Sequence, residues 1–349
     1  MVVNVVTAQV LETLYFEQLG HNLANPYTSF LNDVAYDPIN NYLYITDSGI
    51  PIPSTTLPPN PGLIAVDLST KKGKRFLTSA LSTNATDMYL KINGVNVTEA
   101  APMKTGADGI ALTVDAKFLI FCPLTSTVNY KIPTFILRDW TLGDAEVVAS
   151  VTKLVDKQFS SDGLAFASNG ALLSTSLQRN GVFFSSVDTN DGSLLPIWNG
   201  TAYVDILPIV QNTDYMHWPD TIGFSHDGRS FLFVSNQLYL FVQGMLHFDT
   251  TVRARSHIQA NATSSAYNFR VWKVDIDGGI ESALFDNFPS SACSSLDSSS
   301  LVWLIPVCLG VAACVAVIVI VLVGKRKRTE RKKRSTRSFG LLEGLAQDE

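Results

Sequence analysis

The sequence is poor in cysteine, with four residues in 349, two of which lie inside an apolar stretch near the C-terminus. Two remaining cysteines cannot form the disulfide framework of a small secreted scaffold, so that class of fold is excluded. Cys122 and Cys293 are left as the one candidate disulfide pair if the body of the chain lies in an oxidising compartment.

The common enzyme signatures are missing as well. None of the five histidines lies four residues from another, which excludes the helical His pair of many zinc hydrolases. No Gly-rich phosphate-binding loop is present, and the segment GFSHD at residues 223–227 lacks the final glycine of a nucleophile elbow. A hydrolase or nucleotide-binding enzyme of a familiar type is therefore not indicated.

Charged residues make up only 16% of the chain, and they are unevenly distributed. Residues 325–349 hold nine of the 26 Lys and Arg but four of the 31 Asp and Glu, which leaves 17 basic and 27 acidic residues elsewhere. An acidic body argues against nucleic acid as a partner and suits a cationic ligand. With 46% hydrophobic residues the body is expected to fold.

The longest apolar stretch runs from Leu301 to Val323, 23 residues without a charge. This length crosses a bilayer core of about 30 Å. The cluster KRKR at residues 325–328 predicts that the tail, residues 324–349, is cytoplasmic. Residues 290–300, mostly serine, are expected to form a stalk before this transmembrane helix.

Four N-glycosylation sequons precede the predicted span and none follows it: Asn84, Asn96, Asn199 and Asn261. They indicate a single-pass membrane protein with an extracellular or lumenal body. The first nine residues, MVVNVVTAQ, lack the charged and apolar regions of a signal peptide. Either the chain lacks its true beginning, or it is a tail-anchored protein whose body stays in the cytosol.

A pattern with an aspartate near its start recurs four times before the span, and its aspartates are Asp33, Asp108, Asp162 and Asp220. Each copy has alternating apolar residues, a turn and a second apolar run, which is typical of a β-hairpin. The spacings of 75, 54 and 58 residues predict the blades of a β-propeller within an all-β domain at residues 1–289. The alternative is a β-sandwich.

Three further segments carry local predictions. Residues 14–16 are predicted to form a strand, and residues 269–274 (FRVWKV) the last strand of the domain. Residues 78–105 are polar and contain two sequons, so they are predicted to form a long exposed loop.

Several motifs, in order over about residues 12–277, resemble the yellow and major royal jelly protein family: LNDVAYDPINNYLYITDSG, DGIALTVDAKFLIFCPL, SSDGLAFASNGALL, WPDTIGF, SNQL and NFRVWKV. Family members are secreted six-bladed β-propellers. About four blades are visible here, so the resemblance implies that one or two N-terminal blades and a signal peptide are missing. The C-terminal span departs from typical members.

The resemblance implies several roles. Some members take part in dopachrome conversion, some bind biogenic amines in the central cavity, and some are nutritive or structural. The first hypothesis is therefore an extracellular module that binds an amine or a catechol in the central channel. The second is an enzyme, either a dopachrome-type isomerase or a Ca²⁺-dependent lactonase. The third is a cell-surface structural or adhesion protein without a ligand.

Thr221 in WPDT and Asn236 in SNQL match polar positions that face the cavity in amine-binding relatives. A hydroxyl and an amide there would hold an amine or a catechol by hydrogen bonds. Leu238 stands where some amine binders have an aromatic residue, which is a departure from their pattern. The alternative is that both polar groups bond only to nearby backbone.

The four repeat aspartates also have two interpretations. They either line the mouth of the channel and contact the ligand, or they accept hydrogen bonds from backbone N–H groups in Asx-turns. A third interpretation is that Asn32, Asp33, Asp108, Asp162 and Asp220 supply oxygen ligands to one Ca²⁺ ion. No other cofactor is expected.

Overall fold

The computed structural model of the chain describes residues 2–4, 7, 9–225, 229–244 and 269–275. The chain divides into two units, Met1–Ala292 and Cys293–Glu349, and every described residue belongs to the first. No helix within the described ranges is long and apolar enough to cross a membrane. The predicted stalk, span and tail, as well as Asn261 and Cys293, lie outside those ranges.

The first large sheet is a four-stranded antiparallel meander in which each strand pairs with the next one. A short hairpin and a helix precede it. In chain order the elements are β1 (Val2–Asn4), β2 (Gln9–Glu12), α1 (Phe16–Leu19), β3 (Leu31–Asp37), β4 (Tyr42–Asp47), β5 (Gly62–Asp67) and β6 (Lys72–Phe76).

The predicted strand at residues 14–16 is wrong, because β2 ends at Glu12 and α1 begins at Phe16. Leu14 and Phe16 instead pack on the first sheet, against a cluster that contains Leu19 and Ile64. The apolar residues that suggested a strand therefore serve tertiary packing.

The second sheet has the same order, with two short helices inserted before its last strand. A two-residue hairpin precedes it. The elements are β7 (Lys91–Ile92), β8 (Val95–Asn96), β9 (Ala107–Leu112), β10 (Phe118–Pro123), β11 (Val128–Pro133), α2 (Thr134–Arg138), α3 (Asp144–Ala149) and β12 (Thr152–Asp156).

The third sheet ends in a strand that returns to the sheet after an excursion of about twenty residues, which contains a separate small hairpin. The elements are β13 (Leu164–Phe166), β14 (Ala171–Ser176), β15 (Gly181–Val187), β16 (Leu194–Leu195), β17 (Ile197–Trp198), β18 (Tyr203–Val204) and β19 (Leu207–Gln211).

The fourth sheet shows three strands among the described residues, β20 (Pro219–Phe224), β21 (Ser230–Asn236) and β22 (Phe269–Asp275), with α4 (Leu238–Val242) after β21. The predicted last strand is confirmed as β22. The four predicted hairpins are also confirmed, since β3–β4, β9–β10, β13–β14 and β20–β21 all pair in antiparallel fashion.

The first strand of each sheet is its inner strand, because β3 contacts β9, β9 contacts β13, and β13 contacts β20. Four sheets that meet through their first strands are the blades of a β-propeller. The core lies between neighbouring blades. Examples are Tyr44 against Phe121, Ile120 against Leu172, and Leu173 against Phe233.

Residues 86–105, here termed the cap segment, are mostly exposed, as predicted for the loop at residues 78–105, but several of their apolar side chains are buried. Leu90, Ile92 and Val97 are buried against Trp218 and neighbouring residues at one end of the propeller. Some polar side chains of the segment form hydrogen bonds with residues that are distant in the sequence. Asn93 Nδ2 donates to Thr213 O at 3.2 Å, and the Asn180 side chain donates to Asn93 Oδ1.

Candidate functional site

Four aspartates lie at one end of the inner strands: Asp33 in β3, Asp108 in β9, Asp162 just before β13 and Asp220 in β20. Their carboxyl groups interact with one another electrostatically, so the four side chains converge on the same region. We name this set the carboxylate cluster. The interpretation that the repeat aspartates line the mouth of the channel and contact a ligand stays a prediction.

Two glycines let the inner strands approach closely at the carboxylate cluster. A Cβ atom on Gly109 would lie 2.4 Å from Asp162 O, and one on Gly163 would lie 2.4 Å from Asp220 O. Each glycine follows an aspartate of the repeat. The Asp-Gly dipeptide therefore serves the blade-to-blade contact as well as the placement of the carboxylate.

Threonine hydroxyls on the second strands fix the backbone beneath the cluster. Thr46 Oγ1 accepts the Asp33 N–H at 3.0 Å and donates to Asp108 O in the next blade at 2.6 Å. Thr175 Oγ1 accepts the N–H groups of Asp162 at 3.1 Å and Gly163 at 3.0 Å. Both threonines are buried and act as positioning residues.

Asp33 accepts hydrogen bonds from two backbone N–H groups, neither of which lies two residues on as an Asx-turn requires. Val34 N donates to Oδ1 at 2.8 Å, and Ile110 N of the next blade donates to Oδ2 at 3.4 Å. Burial nevertheless raises the pKa of Asp33 to about 7, because desolvation outweighs these two bonds. Near neutral pH the carboxyl group of Asp33 is therefore partly protonated.

Asp108 and Asp162 are the deepest members of the cluster, 2% and 9% exposed. Asp108 Oδ1 is buried and has no hydrogen-bond partner among the described residues. Burial, followed by the charge of Asp162, raises the pKa of Asp108 well above its ordinary range. Burial and then the charge of Asp220 raise the pKa of Asp162, while the indole N–H of Trp218 donates to it and partly opposes that rise.

Asp220 is held by the two residues that the sequence singled out. Thr221 Oγ1 donates to Asp220 Oδ1 at 3.2 Å, and Asn236 Nδ2 donates to Asp220 Oδ2 at 2.9 Å. Burial raises the pKa of Asp220, and these donors oppose the rise. The WPDT and SNQL motifs therefore hold one carboxylate between them.

The three predicted polar residues beside the aspartates differ in their availability to a ligand. Asn236 is buried, and its Oδ1 accepts Leu238 N at 2.8 Å, so its amide is used within the fold. Thr221 is exposed, which leaves its hydroxyl accessible. Asn32 is half-buried and donates to Ser48 Oγ at 3.2 Å, at the junction of the first two blades.

Sequence reasoning missed a buried amine near the cluster. Lys157 is 1% exposed, donates to Asn129 Oδ1, and has its pKa lowered by burial. It lies beside Cys122, whose thiol is directed toward Ser161 O at 3.6 Å. No sequence signal marks a lysine as buried. The pairing of Cys122 with Cys293 stays a prediction.

Within the described ranges, no three His, Cys, Asp or Glu side chains, the four aspartates included, are grouped so that they could hold a metal ion. A cavity of about 340 Å³ is lined by Asn22, Asn25, Asn60 and Arg75 among others, and none of the four aspartates belongs to its lining.

The sequons occupy three different settings. Asn199 is exposed at the turn between β17 and β18. Asn84 is half-buried and donates to Ser79 O at 2.8 Å. Asn96 belongs to β8 in the cap segment, and its backbone carbonyl accepts a hydrogen bond from Gln243.

A comparison of the sequence with protein families finds that a family model described as major royal jelly protein matches residues 1–266. No curated protein sequence matches the chain.

Several solved structures are similar in fold. A luciferin-regenerating enzyme is 14% identical with a TM-score of 0.40, over 73% of this chain and 66% of that one. A chain of a nidogen/laminin complex is 12% identical with a TM-score of 0.39, over 60% and 58%. A gluconolactonase from Xanthomonas campestris is 15% identical with a TM-score of 0.34, over 59% and 54%. The chain thus spans 54–66% of the length of these proteins.

Proposed function

The chain belongs to the major royal jelly protein family, and we propose that it is an extracellular, membrane-anchored propeller that binds a small amine or catechol ligand at the carboxylate cluster. The observation that carries this proposal is the convergence of four carboxylates, one of which has a buried oxygen without a donor. Eight buried side-chain atoms of the described residues lack a hydrogen-bond partner, and Asp108 Oδ1 is the one carboxyl oxygen among them.

The charges around the cluster support a cationic ligand. Two other buried aspartates of the first blade have arginine partners: Asp47 with Arg75 at 2.8 Å and Asp37 with Arg138 at 3.5 Å. Within the part of the chain that the structure describes, no Lys or Arg forms an ion pair with the four aspartates. Burial without a basic partner raises the pKa of each of these carboxyls, so protonation relieves the cost of burying them.

An ammonium group would compete with those protons. The raised pKa of Asp33, about 7, means that this carboxyl is partly protonated in the free protein at neutral pH. A bound cation favours the charged carboxylates, so its binding releases protons and tightens as the pH rises. The exposed hydroxyl of Thr221 is a hydrogen-bonding group for a ligand hydroxyl.

Isothermal titration calorimetry on the full chain in detergent tests the proposal, with tyramine, dopamine and catechol as ligands at pH 6 and pH 8. We expect the amines to bind more tightly at pH 8 and to release protons, measured as a buffer-dependent heat. Asp108→Asn should weaken amine binding by at least about tenfold, because a buried charge partner is lost.

The matched control is Asp205→Asn, which removes an exposed carboxylate from the loop before β19 and should leave the affinity unchanged. Absence of heat with all three ligands would reject the proposal. Equal weakening by both variants would show that only the net charge matters.

The isomerase, the Ca²⁺-dependent lactonase and the ligand-free adhesion protein stay predictions of the sequence, and no contact in the described residues favours one of them. The location is part of the proposal. It is supported by the apolar stretch from Leu301 to Val323, the basic residues that follow it, and the four sequons that precede it.

A further inference from the structure

Two aromatic rings are exposed side by side on the small hairpin of the third blade. Trp198 and Tyr203 are a directly opposed pair of β17 and β18, and they are 56% and 69% exposed. Their ring centroids are 5.2 Å apart with an interplanar angle of 59°. Large apolar rings are normally covered, so an exposed pair marks a contact surface.

The residue at the turn of this hairpin is Asn199, the first residue of a sequon. Its Oδ1 accepts hydrogen bonds from Thr201 N, Thr201 Oγ1 and Ala202 N, each at 2.9 Å. The carbonyl side of the amide is therefore fully used. Among the described residues no hydrogen bond is made by Nδ2, the atom to which a glycan is joined, and the side chain is exposed.

We propose that Asn199 carries an N-linked glycan whose first sugar packs against the rings of Trp198 and Tyr203. A sugar ring has an apolar C–H face, and covering two aromatic rings with that face removes apolar surface from water. The occupant is tethered one residue from Trp198, so it is held at the ring pair at high local concentration. The inference rests on the proposed extracellular location of the body.

The sequon at Asn84 lacks this arrangement, because its neighbours Thr83 and Ala85 are not aromatic. The Asn84 side-chain amide donates to Ser79 O, and a glycosylated amide would keep one N–H for that bond. Asn84 is therefore the control position.

The test is a double-mutant cycle on the full chain, directed into the secretory pathway of a glycosylating cell by an added leader. The four proteins are the wild type, Asn199→Gln, Trp198→Ala and the double variant. Gel mobility before and after glycosidase treatment reports glycan occupancy, and thermal unfolding reports the stability. We expect Asn199→Gln to lose one glycan.

Asn199→Gln should also lower Tm by about 2–4 °C, the scale of one aromatic contact in a chain of this size. In the Trp198→Ala background the same change should lower Tm by less, because the ring that holds the sugar is gone and only the loss of the turn hydrogen bonds to Asn199 Oδ1 remains. Asn84→Gln should be additive with Trp198→Ala. Because both hairpin side chains are exposed, the variants should fold.

Each remaining outcome overturns part of the argument. Glycan at Asn199 with strictly additive Tm effects would reject the packing against the rings. Unchanged mobility of Asn199→Gln would reject glycosylation of this site. Neither outcome tests the natural location, which the added leader imposes, and ligand binding is measured separately by calorimetry.

Discussion

Two buried aspartates of the propeller, Asp47 and Asp108, differ in their hydrogen-bond and ion-pair partners. Asp47 is buried and accepts bonds from Arg75, Ser29 and two backbone N–H groups, so its charge is satisfied within the fold. Asp108 is equally buried and has an oxygen without a donor. A carboxylate without compensation stores a free-energy cost that a proton or a cation relieves.

This difference predicts how stability depends on pH. Folding raises the pKa of Asp33 from 3.8 to about 7, mainly through burial, so the folded chain binds this proton more tightly than the unfolded chain does. The contribution to stability is complete below pH 3.8 and is lost as the pH rises through about 7. Asp33→Asn should therefore show a smaller fall in Tm between pH 5 and pH 8 than the wild type.

Calorimetric scans at both pH values measure that fall. Asp205→Asn is the control, and it should keep the wild-type pH dependence because its carboxylate is exposed. An identical fall for the wild type and Asp33→Asn would contradict the assignment of a raised pKa to this residue.

At the scale of the elements, the inner strands are set by contacts that only glycine permits. Gly109 in β9 faces Asp162 O and has no space for a Cβ atom. Gly223 in β20 has no atom within 4 Å of an added Cβ. Close packing therefore requires glycine at position 109 in the second blade but not at position 223 in the fourth blade.

Substitution by alanine should separate these two glycines. Gly109→Ala should lower the free energy of unfolding by on the order of 1–3 kcal/mol, because the strands must move apart. Gly223→Ala should be neutral or stabilising by up to about 1 kcal/mol, because glycine costs conformational entropy in a strand. Urea unfolding of both variants measures the difference, and equal losses would contradict the close approach at Gly109.

The same elements show how far sequence reasoning reaches. The hairpins around Asp33, Asp108, Asp162 and Asp220 were predictable because alternation and turn residues are local signals. The burial of Leu90, Ile92 and Val97 in the cap segment was not predicted, because residues of other blades cover them and no local pattern encodes that contact. In the candidate site, the four aspartates could be predicted from the sequence repeat. The burial of Lys157 and the hydrogen bond from Trp218 to Asp162 could be found only from the tertiary structure.

The whole molecule is a four-bladed arrangement in its described part, with charges paired in the first blade and unpaired at the centre. The proposed membrane anchor, Leu301 to Val323, lies outside the described part, so it has to be tested on the entire chain. The basic residues after position 324 and the acidic body are consistent with opposite sides of a membrane.

Membrane fractionation tests this arrangement. The full chain should sediment with membranes and resist alkaline carbonate, whereas a chain that ends at residue 300 should not, because it lacks the 23 uncharged residues from Leu301 to Val323. A chain that ends at residue 324 keeps the span without the basic tail and should remain in the membrane. Release of the full chain by carbonate would contradict a transmembrane anchor.

The cap segment also sets an order of events during synthesis. Its hydrogen bonds join Asn93 to Thr213, 120 residues later, and Asn96 to Gln243, 147 residues later. At about 5–20 residues per second, a ribosome needs about 6–30 s to deliver those partners. During that interval Trp218 is not yet available to cover Leu90, Ile92 and Val97, so the cap segment completes its packing only after the fourth blade has been synthesised.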